Sequence, residues 1–381
     1  MTYRGTSLRR VLAAAGSILL GLTATAVPAL AVSADPMPSF NGTVLAIAYS
    51  GSTVYVGGTF TAAIVNGRLV TRNRLAAIDA TTGVLLPWAP VADGRVKALA
   101  ASGSSVYAAG DFGTVGGQPR DGLARLDRTS GAVSGTFQHT INGIPYAVAA
   151  GNGRLYLGGA ITSVDGQPRT RLAAFSLTTG VLDRSWKPTA DAPVQAVTTG
   201  PGRIYVGGKF HKVNGTSGYD RLVALDPSSA AIVTGFRPRP AIVVYGIAVT
   251  PTGVYSAHGG QGGKLNAYSL AGRLRWSSTF DGDAQAVAVL GDTVYAGGHF
   301  DHACRTPRTG SQGVCLDGSD NRVKLAALDA ATGVLQDWTA NANGVVGVLT
   351  MASNVSLGVF SAGGAFTSIE GLAHKRFAQF G

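Results

Sequence analysis

Short apolar runs separated by glycine-rich polar turns recur along the chain from about residue 44 to its C-terminus. The runs are rich in Val, Ile, Leu, Ala and Tyr, and their apolar positions show no helical period. Runs of this kind, punctuated by Gly, Asn-Gly and Asp-Gly, are typical of β-strands joined by tight turns. The sequence therefore predicts an all-β fold beyond its N-terminal segment.

One run has the pattern V-Y-x-G-G-x-F and recurs at a nearly constant spacing. Five clear copies, a degenerate sixth and a partial seventh begin at Val54, Val106, Leu155, Ile204, Val294, Val254 and Ala362, respectively. The period is about 50 residues, which is typical of a β-propeller with four strands in each blade. We therefore predict one seven-bladed β-propeller over residues 35–381.

Within each repeat the pattern predicts four strands, the first of them at the propeller axis and the fourth on the outside. The outer strand of the first repeat would end near Trp88. The last repeat has only three predicted strands before the chain ends. Residues 36–42 resemble the end of the outer strand at 280–282. We therefore predict that the N-terminal strand completes the last blade.

The predicted inner strands align so that a variable residue precedes a small one. The small residues, which a crowded axis would favour, are Ala46, Ala98, Ala147, Ala196, Gly246, Ala286 and Gly347. The variable residues are Leu45, Lys97, Tyr146, Gln195, Tyr245, Gln285 and Val346. Polar and aromatic side chains that converge on one opening are usual in a ligand site. We predict such a site at the funnel mouth, a solvated rim being the alternative, with members Lys97, Tyr146, Gln195, Lys209, Tyr245 and Gln285.

The position between G-G and F in the repeat supplies ionisable candidates. Asp111 and His299 occupy it in two repeats and have the acid/base capacity that a hydrolase or lyase would need.

A basic residue also precedes the third strand in six repeats, where it would either form a ring of positive charge or hold neighbouring blades together through a carbonyl or Asp. These residues are Arg72, Arg74, Arg120, Arg169, Arg171, Arg221, Arg322, Lys324, Lys375 and Arg376.

The N-terminal residues 1–34 have the pattern of a signal peptide. Arg4, Arg9 and Arg10 precede an apolar run over residues 11–26, and two A-x-A-like cleavage sites follow. The run is too short for a membrane span. Without residues 1–34 the chain keeps 28 basic and 20 acidic residues, a net charge of +8. We therefore expect a secreted bacterial monomer with an anionic wall polymer, polysaccharide or protein as partner and no nucleic acid, although a basic charge can also serve solubility alone.

Cys304 and Cys315 are the two cysteines and lie in one polar stretch. In an oxidising compartment such a pair predicts a disulfide. We expect it to tether an insertion, residues 301–323, that projects from the sixth blade.

The repeat unit as a whole resembles a known group of proteins. V-Y-x-G-G-x-F at 54–60, followed by L-A-x-x-D-x-x-T-G at 75–83, resembles the repeats of secreted actinobacterial β-propellers and of large surface proteins, including a fungal cortical marker family. The resemblance implies the fold, but members of that group mostly lack an assigned activity.

More distantly, the segments 77–88 and 327–338 are similar to the tryptophan-docking repeat of quinoprotein propellers. That likeness implies that Trp88, Trp186 and Trp338 wedge between blades. The adjacent cysteines of a quinone site are missing, so we predict no cofactor.

The remaining chemistry is sparse. Glu370 is the single glutamate, which excludes a Glu/Glu glycosidase pair but leaves an Asp pair open, and no G-x-S-x-G occurs. His299 with His302, and the Asp-rich segment 317–321, could bind a metal but are explained as well by surface and turn residues, so no metal is predicted. The leading interpretation is an extracellular, carbohydrate-binding or scaffolding propeller. The alternative is a secreted hydrolase or lyase acting at the funnel.

Overall fold

The computed structural model describes residues 1–2, 34–260 and 262–381. The predicted signal peptide lies almost wholly outside these residues. A single 3-10 turn spans Ser311–Gly313, and the described residues contain no α-helix. The strands are β1 (Ser39–Phe40), β2 (Val44–Ser50), β3 (Thr53–Gly58), β4 (Ala62–Val65), β5 (Arg68–Thr71), β6 (Leu75–Asp79), β7 (Val96–Ser102), β8 (Ser105–Gly110), β9 (Thr114–Val115), β10 (Gln118–Pro119), β11 (Leu123–Asp127), β12 (Ile141–Asn142), β13 (Pro145–Gly151), β14 (Arg154–Gly159), β15 (Ser163–Val164), β16 (Gln167–Pro168), β17 (Leu172–Ser176), β18 (Val194–Gly200), β19 (Arg203–Gly208), β20 (Lys212–Val213), β21 (Thr216–Ser217), β22 (Leu222–Leu225), β23 (Val243–Thr250), β24 (Gly253–Gly259), β25 (Lys264–Tyr268), β26 (Leu274–Phe280), β27 (Ala284–Leu290), β28 (Thr293–Gly298), β29 (His302–Cys304), β30 (Ser319–Asn321), β31 (Leu325–Asp329), β32 (Val348–Asn354), β33 (Val359–Gly364), β34 (Ser368–Ile369), β35 (Leu372–Ala373) and β36 (Phe377–Phe380).

In the described residues, seven larger antiparallel sheets follow one another along the chain beside five small hairpin sheets, which confirms the all-β prediction. The seven larger sheets are sheet 1 (β2, β3, β6), sheet 2 (β7, β8, β11), sheet 3 (β13, β14, β17), sheet 4 (β18, β19, β22), sheet 5 (β23 to β26), sheet 6 (β27, β28, β31) and sheet 7 (β32, β33, β36). The first strand of each sheet lies beside the first strand of the next, and that of sheet 7 lies beside that of sheet 1.

The first glycine of each G-G pair sets how closely neighbouring sheets approach. A Cβ on Gly57 would lie 2.6 Å from a methyl carbon of Val96, in the inner strand of the next sheet. The same contact joins Gly363 of sheet 7 to Val44 of sheet 1. The repeat keeps glycine here because the next inner strand packs where a side chain would stand.

The outer strand is shorter than the sequence predicts. In sheets 1 to 4 and 6 it is reduced to one residue paired with the third strand, and these residues are Leu85, Val133, Leu182, Ile232 and Leu335. Sheet 5 alone among the described sheets has a full fourth strand, β26.

The tryptophans confirm the predicted wedge. The indole N–H of Trp88 donates to the carbonyl of Asp127 in sheet 2, at 3.0 Å, and that of Trp186 donates to the carbonyl of Asp226 in sheet 4, at 3.2 Å. Trp338 stacks edge-on against Tyr295, with ring centroids 5.3 Å apart, and also contacts Phe360 of sheet 7. A buried indole whose N–H is satisfied therefore ties sheet 1 to sheet 2 and sheet 3 to sheet 4.

Small hairpins on one rim add a second tie between sheets. In each of six repeats a hairpin between the second and third strands pairs with the chain arriving from the preceding sheet; the hairpins are β4–β5, β9–β10, β15–β16, β20–β21, β29–β30 and β34–β35. An Asn or Asp side chain of the arriving chain accepts two backbone N–H groups of the hairpin in five cases, through Asn41, Asp93, Asp191, Asp281 and Asn343.

The N-terminal segment is hydrogen-bonded to the last strand of sheet 7. The N–H of Asp35 donates to the carbonyl of Gln379 at 2.8 Å, which matches the bond from Leu86 to Ala77 in sheet 1. Phe40 then pairs with Ala63 in the hairpin of the first repeat. The segment therefore contacts both the last and the first sheet.

The insertion at 301–323 does not project freely from the sixth repeat as expected. Its hairpin pairs with β26, so that Cys304 lies opposite Thr279 and the insertion extends sheet 5. Gly313 packs against Gly262 in the loop where the fifth repeat has no rim hairpin of its own. The predicted Cys304–Cys315 disulfide is present.

Candidate ligand-binding cavity

A β-bulge near the start of every inner strand positions the central side chains. One extra residue interrupts the pairing with the second strand in all seven sheets. The bulged residues are Leu45, Lys97, Tyr146, Gln195, Tyr245, Gln285 and Leu349. A bulge turns its extra side chain away from the regular alternation of the strand.

The second glycine of the G-G pair is required by this bulge. A Cβ on Gly208 would collide with the carbonyl oxygen of Pro193 and lie 2.9 Å from the Cα of Val194. A Cβ on Gly364 in sheet 7 would meet Gly347 and Val348 in the same way. The constant glycine thus allows the backbone shape that presents the variable residue.

The seven bulges surround one cavity of about 520 Å³, and each bulged side chain lines it. Small and branched residues of the same inner strands complete the wall. The sequence-predicted site residues Lys97, Tyr146, Gln195, Tyr245 and Gln285 are therefore brought together, each from a different sheet. They belong to sheets 2 to 6 in succession, whereas sheets 7 and 1 contribute Leu349 and Leu45.

The amine of Lys97 is the charged group in the cavity lining. Lys97 is half-buried, with its Nζ 5.6 Å from the centroid of the Tyr146 ring. Burial lowers the pKa of Lys97 and nearby Arg95 acts in the same direction, while Asp111 opposes them. Burial raises the pKa of Tyr245, and Asp283 adds to this shift. Among the described lining residues, Lys97 is the one side chain with a formal charge at neutral pH.

Asp111 lies next to this cavity and is held by an arginine. The Nη2 and Nε of Arg95 both donate to its Oδ2, at 2.5 and 2.8 Å. Its Oδ1 is buried and has no hydrogen-bond partner. The carboxylate is therefore a fixed counter-ion beside Lys97 rather than a group that lines the cavity.

His299 and Lys209 do not line the cavity. His299 lies in sheet 6, where its Nδ1 is 3.9 Å from Asp283. It is thus separated from Asp111 of sheet 2, and the two acid/base candidates do not form one catalytic pair. Lys209 is exposed at the end of β19.

Nine of the ten repeated basic residues before the third strand donate to backbone carbonyls, and the exception is the exposed Lys375. Arg120 donates to the carbonyls of Pro119 and Ser134, and Arg169 to those of Pro168 and Asp183. Their partners lie in the same repeat, so these residues fix the outer segment of their own sheet. The expected contact with a neighbouring blade is wrong for this set.

One position of the aligned columns was misassigned. Gly347 and Val346 were expected in the small and variable columns of the last repeat, but the bulge places Thr350 and Leu349 there. The segment from 345 to 349 contains several apolar residues and a glycine, so two registers fit the pattern equally well. The pairing of Gly363 with Thr350 decides between them.

No cluster of three or more His, Cys, Asp or Glu side chains in the described residues is arranged to hold a metal ion. In the Asp-rich segment, Asp317 pairs with Arg308 and Asp320 with Arg305. No helix in the described part of the chain has the length and apolar character needed to cross a membrane.

Comparison with known proteins supports the fold. Residues 105–144 match the family model "Domain of unknown function (DUF5122) beta-propeller". The WD40 β-propeller domain of Doa1 is similar with a TM-score of 0.58 and 9% identity over 91% of this chain and 95% of that one. The computationally designed Ika8 protein has a TM-score of 0.51 and 14% identity over 91% and 99%. No curated protein matches the chain. These likenesses show a β-propeller fold.

Proposed function

We propose that the protein is an exported binding propeller whose central cavity holds one unit of an anionic polymer such as an acidic polysaccharide. The observation that carries this proposal is the convergence of five bulged side chains from sheets 2 to 6 on one cavity. Two tyrosine rings suit the faces of sugar units, two glutamine amides suit hydroxyl groups, and Lys97 suits one carboxylate or phosphate.

The ring itself is part of the proposal. We infer seven blades, closed by the N-terminal strand over residues 35–42. The cyclic contacts of the inner strands, the packing of Val44 on Gly363 and the bond from Asp35 to Gln379 support this closure. A closed ring protects strand edges, which favours a monomer.

Export is inferred from the sequence. The basic, apolar and small-residue segments of residues 1–34 have the order of a signal peptide. A net charge of +8 after removal of that segment fits an anionic partner outside the cell.

We favour a polymer over a protein partner because the cavity is small and concave. Its 520 Å³ suits one or two sugar units, whereas stable protein interfaces are broad surfaces. The hydrolase or lyase alternative has less support, since Arg95 holds Asp111 and His299 lies in a distant sheet.

Isothermal titration with galacturonic acid and with oligogalacturonate tests the proposal. We expect binding that weakens as salt rises and that falls about tenfold in Lys97→Ala, because a charge-assisted hydrogen bond contributes about 1.5–3 kcal/mol. Lys375→Ala, an exposed lysine of sheet 7, is the matched control and should bind as the unmodified protein does. Equal loss in both variants contradicts a cavity site, and release of shortened products would favour the enzyme alternative.

A further inference from the structure

A cluster of six basic residues, five of them exposed, lies on the rim of sheet 4, outside the cavity. It comprises the segment from the end of β19 to the start of β22, which includes the hairpin β20–β21, and the segment that follows β22. Its basic side chains are Lys209, His211, Lys212, Arg221, Arg237 and Arg239. We name these six residues the basic rim.

Side-chain contacts join most of the basic rim into one surface. Asp220 accepts from His211 Nδ1 at 3.0 Å and pairs with Arg239 at 3.5 Å. Arg221 contacts the other ring nitrogen of His211 at 3.3 Å. These contacts fix the hairpin against the segment that leads to sheet 5.

An aromatic ring orients a further guanidinium. Arg237 lies over the ring of Tyr219, 5.1 Å from its centroid, and its Nε donates to the carbonyl of Gly218 at 2.9 Å. The Arg237 side chain is otherwise exposed. A stacked, preorganised arginine is well suited to a carboxylate or phosphate.

The basic rim has an excess of positive charge. Five formal cations, without counting His211, face two carboxylates, Asp191 and Asp220. Asp191 already accepts two backbone N–H groups. Within the described residues, the amines of Lys209 and Lys212 have no hydrogen-bonding or ion-pair partner.

The basic rim lies next to the cavity, on the sheet in the middle of the five that supply the polar lining. The N–H of Lys209 donates to the carbonyl of Pro193 at 3.0 Å, two residues before the cavity residue Gln195. Sheet 4 is the central member of sheets 2 to 6, which supply the polar lining. The rims of sheets 7 and 1 and the insertion, by contrast, expose several aliphatic side chains beside their cations: Leu69, Val314, Leu316, Val345, Val346 and Leu372.

We propose that the basic rim is a second subsite, over which an anionic polymer leaves the cavity and continues across sheet 4. This inference rests on the proposed function, because the cavity must hold one unit of the same polymer. The ligand chemistry is a linear chain with one negative group per unit, either a polyuronate or a polyol phosphate. A polymer that occupies both subsites should bind more tightly than its single unit, by contacts that depend on salt.

Binding of unit and polymer to the same variants tests the inference. Isothermal titration would use galacturonic acid, oligogalacturonate, glycerol phosphate and poly(glycerol phosphate), with dextran as the neutral polymer. The test variant is Lys209→Gln with Lys212→Gln, which removes two amines that hold no other group in place. Arg68→Gln with Lys375→Gln is the matched control, since it removes two exposed cations from the rims of sheets 1 and 7.

We expect the test variant to lose about threefold to tenfold in affinity for one of the anionic polymers and to keep its affinity for the corresponding unit. The control should keep both, and the polymer that is affected identifies carboxylate or phosphate as the ligand group. Unchanged polymer affinity in the test variant, or an equal loss in the control, overturns the second subsite while the proposed cavity stands. Failure of the unmodified protein to bind any unit or polymer overturns the proposed function and the subsite with it. Unaltered melting of both variants would exclude a folding effect.

Discussion

The two sides of the central cavity differ in their side chains although they share one backbone design. On sheets 2 to 6 the bulged positions carry lysine, tyrosine and glutamine, whereas sheets 7 and 1 place leucine there. Sheets 7 and 1 are also where the two chain ends meet. The comparison indicates that the β-bulge is part of the common backbone structure of all seven sheets. The type of residue at the bulge varies, and polar or aromatic residues that suit a ligand occur only on sheets 2 to 6.

The largest effect is expected from a substitution where the N-terminal segment meets the first and the last repeat. Phe40 is fully buried between Phe60, with ring centroids 4.4 Å apart, and Phe377. We expect Phe40→Ala to lower the free energy of unfolding by about 3–5 kcal/mol, as for other buried phenylalanines. Urea denaturation would measure the loss.

Phe280→Ala is the matched control inside the ring. Phe280 holds the equivalent place between sheets 5 and 6 and stacks on Phe300 at 4.2 Å. We expect a similar loss there. A nearly neutral Phe40→Ala beside a costly Phe280→Ala would mean that the N-terminal segment does not close the ring, and removal of residues 35–42 should then leave melting unchanged.

Acid provides a second perturbation, with its largest expected effect in sheet 5 on the polar side. His258 in sheet 5 is fully buried, with Nε2 2.7 Å from the hydroxyl of Ser256. Burial lowers the pKa of His258 to about 4, a hydrogen bond with the backbone of Ile242 opposes this shift, and Lys264 adds to it. The unfolded chain, with a histidine pKa of about 6.5, therefore binds a proton that the folded chain rejects.

Stability should consequently fall as the pH drops from about 6.5 to about 4, by up to about 3 kcal/mol from this group. His374 in the last repeat has a pKa that burial also lowers, so it contributes in the same direction. Melting at several pH values would show the slope, and His258→Asn should flatten it. An unchanged slope in that variant would rule out His258 as its source.

Sequence alone predicted the polar side of the cavity better than the junction. The variable position of the predicted inner strands gave six of the seven bulged residues that line the cavity, because the positions that flank it in the strand keep the same residue type from repeat to repeat. It failed at Leu349, where an apolar segment with one glycine fits two registers. The pairing partner of the insertion, and the early departure of the outer segments, depend on contacts between repeats that no local pattern contains. The Asn and Asp residues that cap the rim hairpins did carry a signal, since most of them precede a glycine, as Asp93 precedes Gly94.

Replacing the glycine opposite the bulge by alanine, in sheet 4 and in sheet 7, tests whether the two sides of the cavity differ in ligand contact. Gly208→Ala would push a Cβ against Pro193 and distort the bulge that presents Gln195, and Gly364→Ala would do the same beside Leu349. We expect both to lower the free energy of unfolding by about 1–3 kcal/mol, because overpacking forces backbone shifts. Ligand affinity should fall in Gly208→Ala alone. Equal loss of affinity in both variants would show that the two sides of the cavity do not differ in ligand contact.

The smallest effect on global stability is expected from the disulfide. Closing a loop of 11 residues is worth about 2–3 kcal/mol in the chain-entropy model, but the insertion that it closes is attached to sheet 5 through the short pairing of β26 with β29. This hairpin can detach while the sheets stay folded. We therefore expect Cys304→Ser with Cys315→Ser to lower the free energy of unfolding of the whole protein by less than about 1 kcal/mol.

In the same double variant, hydrogen exchange should rise at residues 302–321 and in the adjoining loop around Gly262, which packs on Gly313. Because Gly259 at the start of that loop adjoins Tyr245, ligand affinity should change slightly on the polar side, whereas exchange in sheets 7 and 1 should stay as it was. Faster exchange throughout the chain would instead mean that the insertion stabilises all the sheets. The distinction between sheets 2 to 6, which carry the variable polar residues, and sheets 7 and 1, where the chain ends meet, would then not hold.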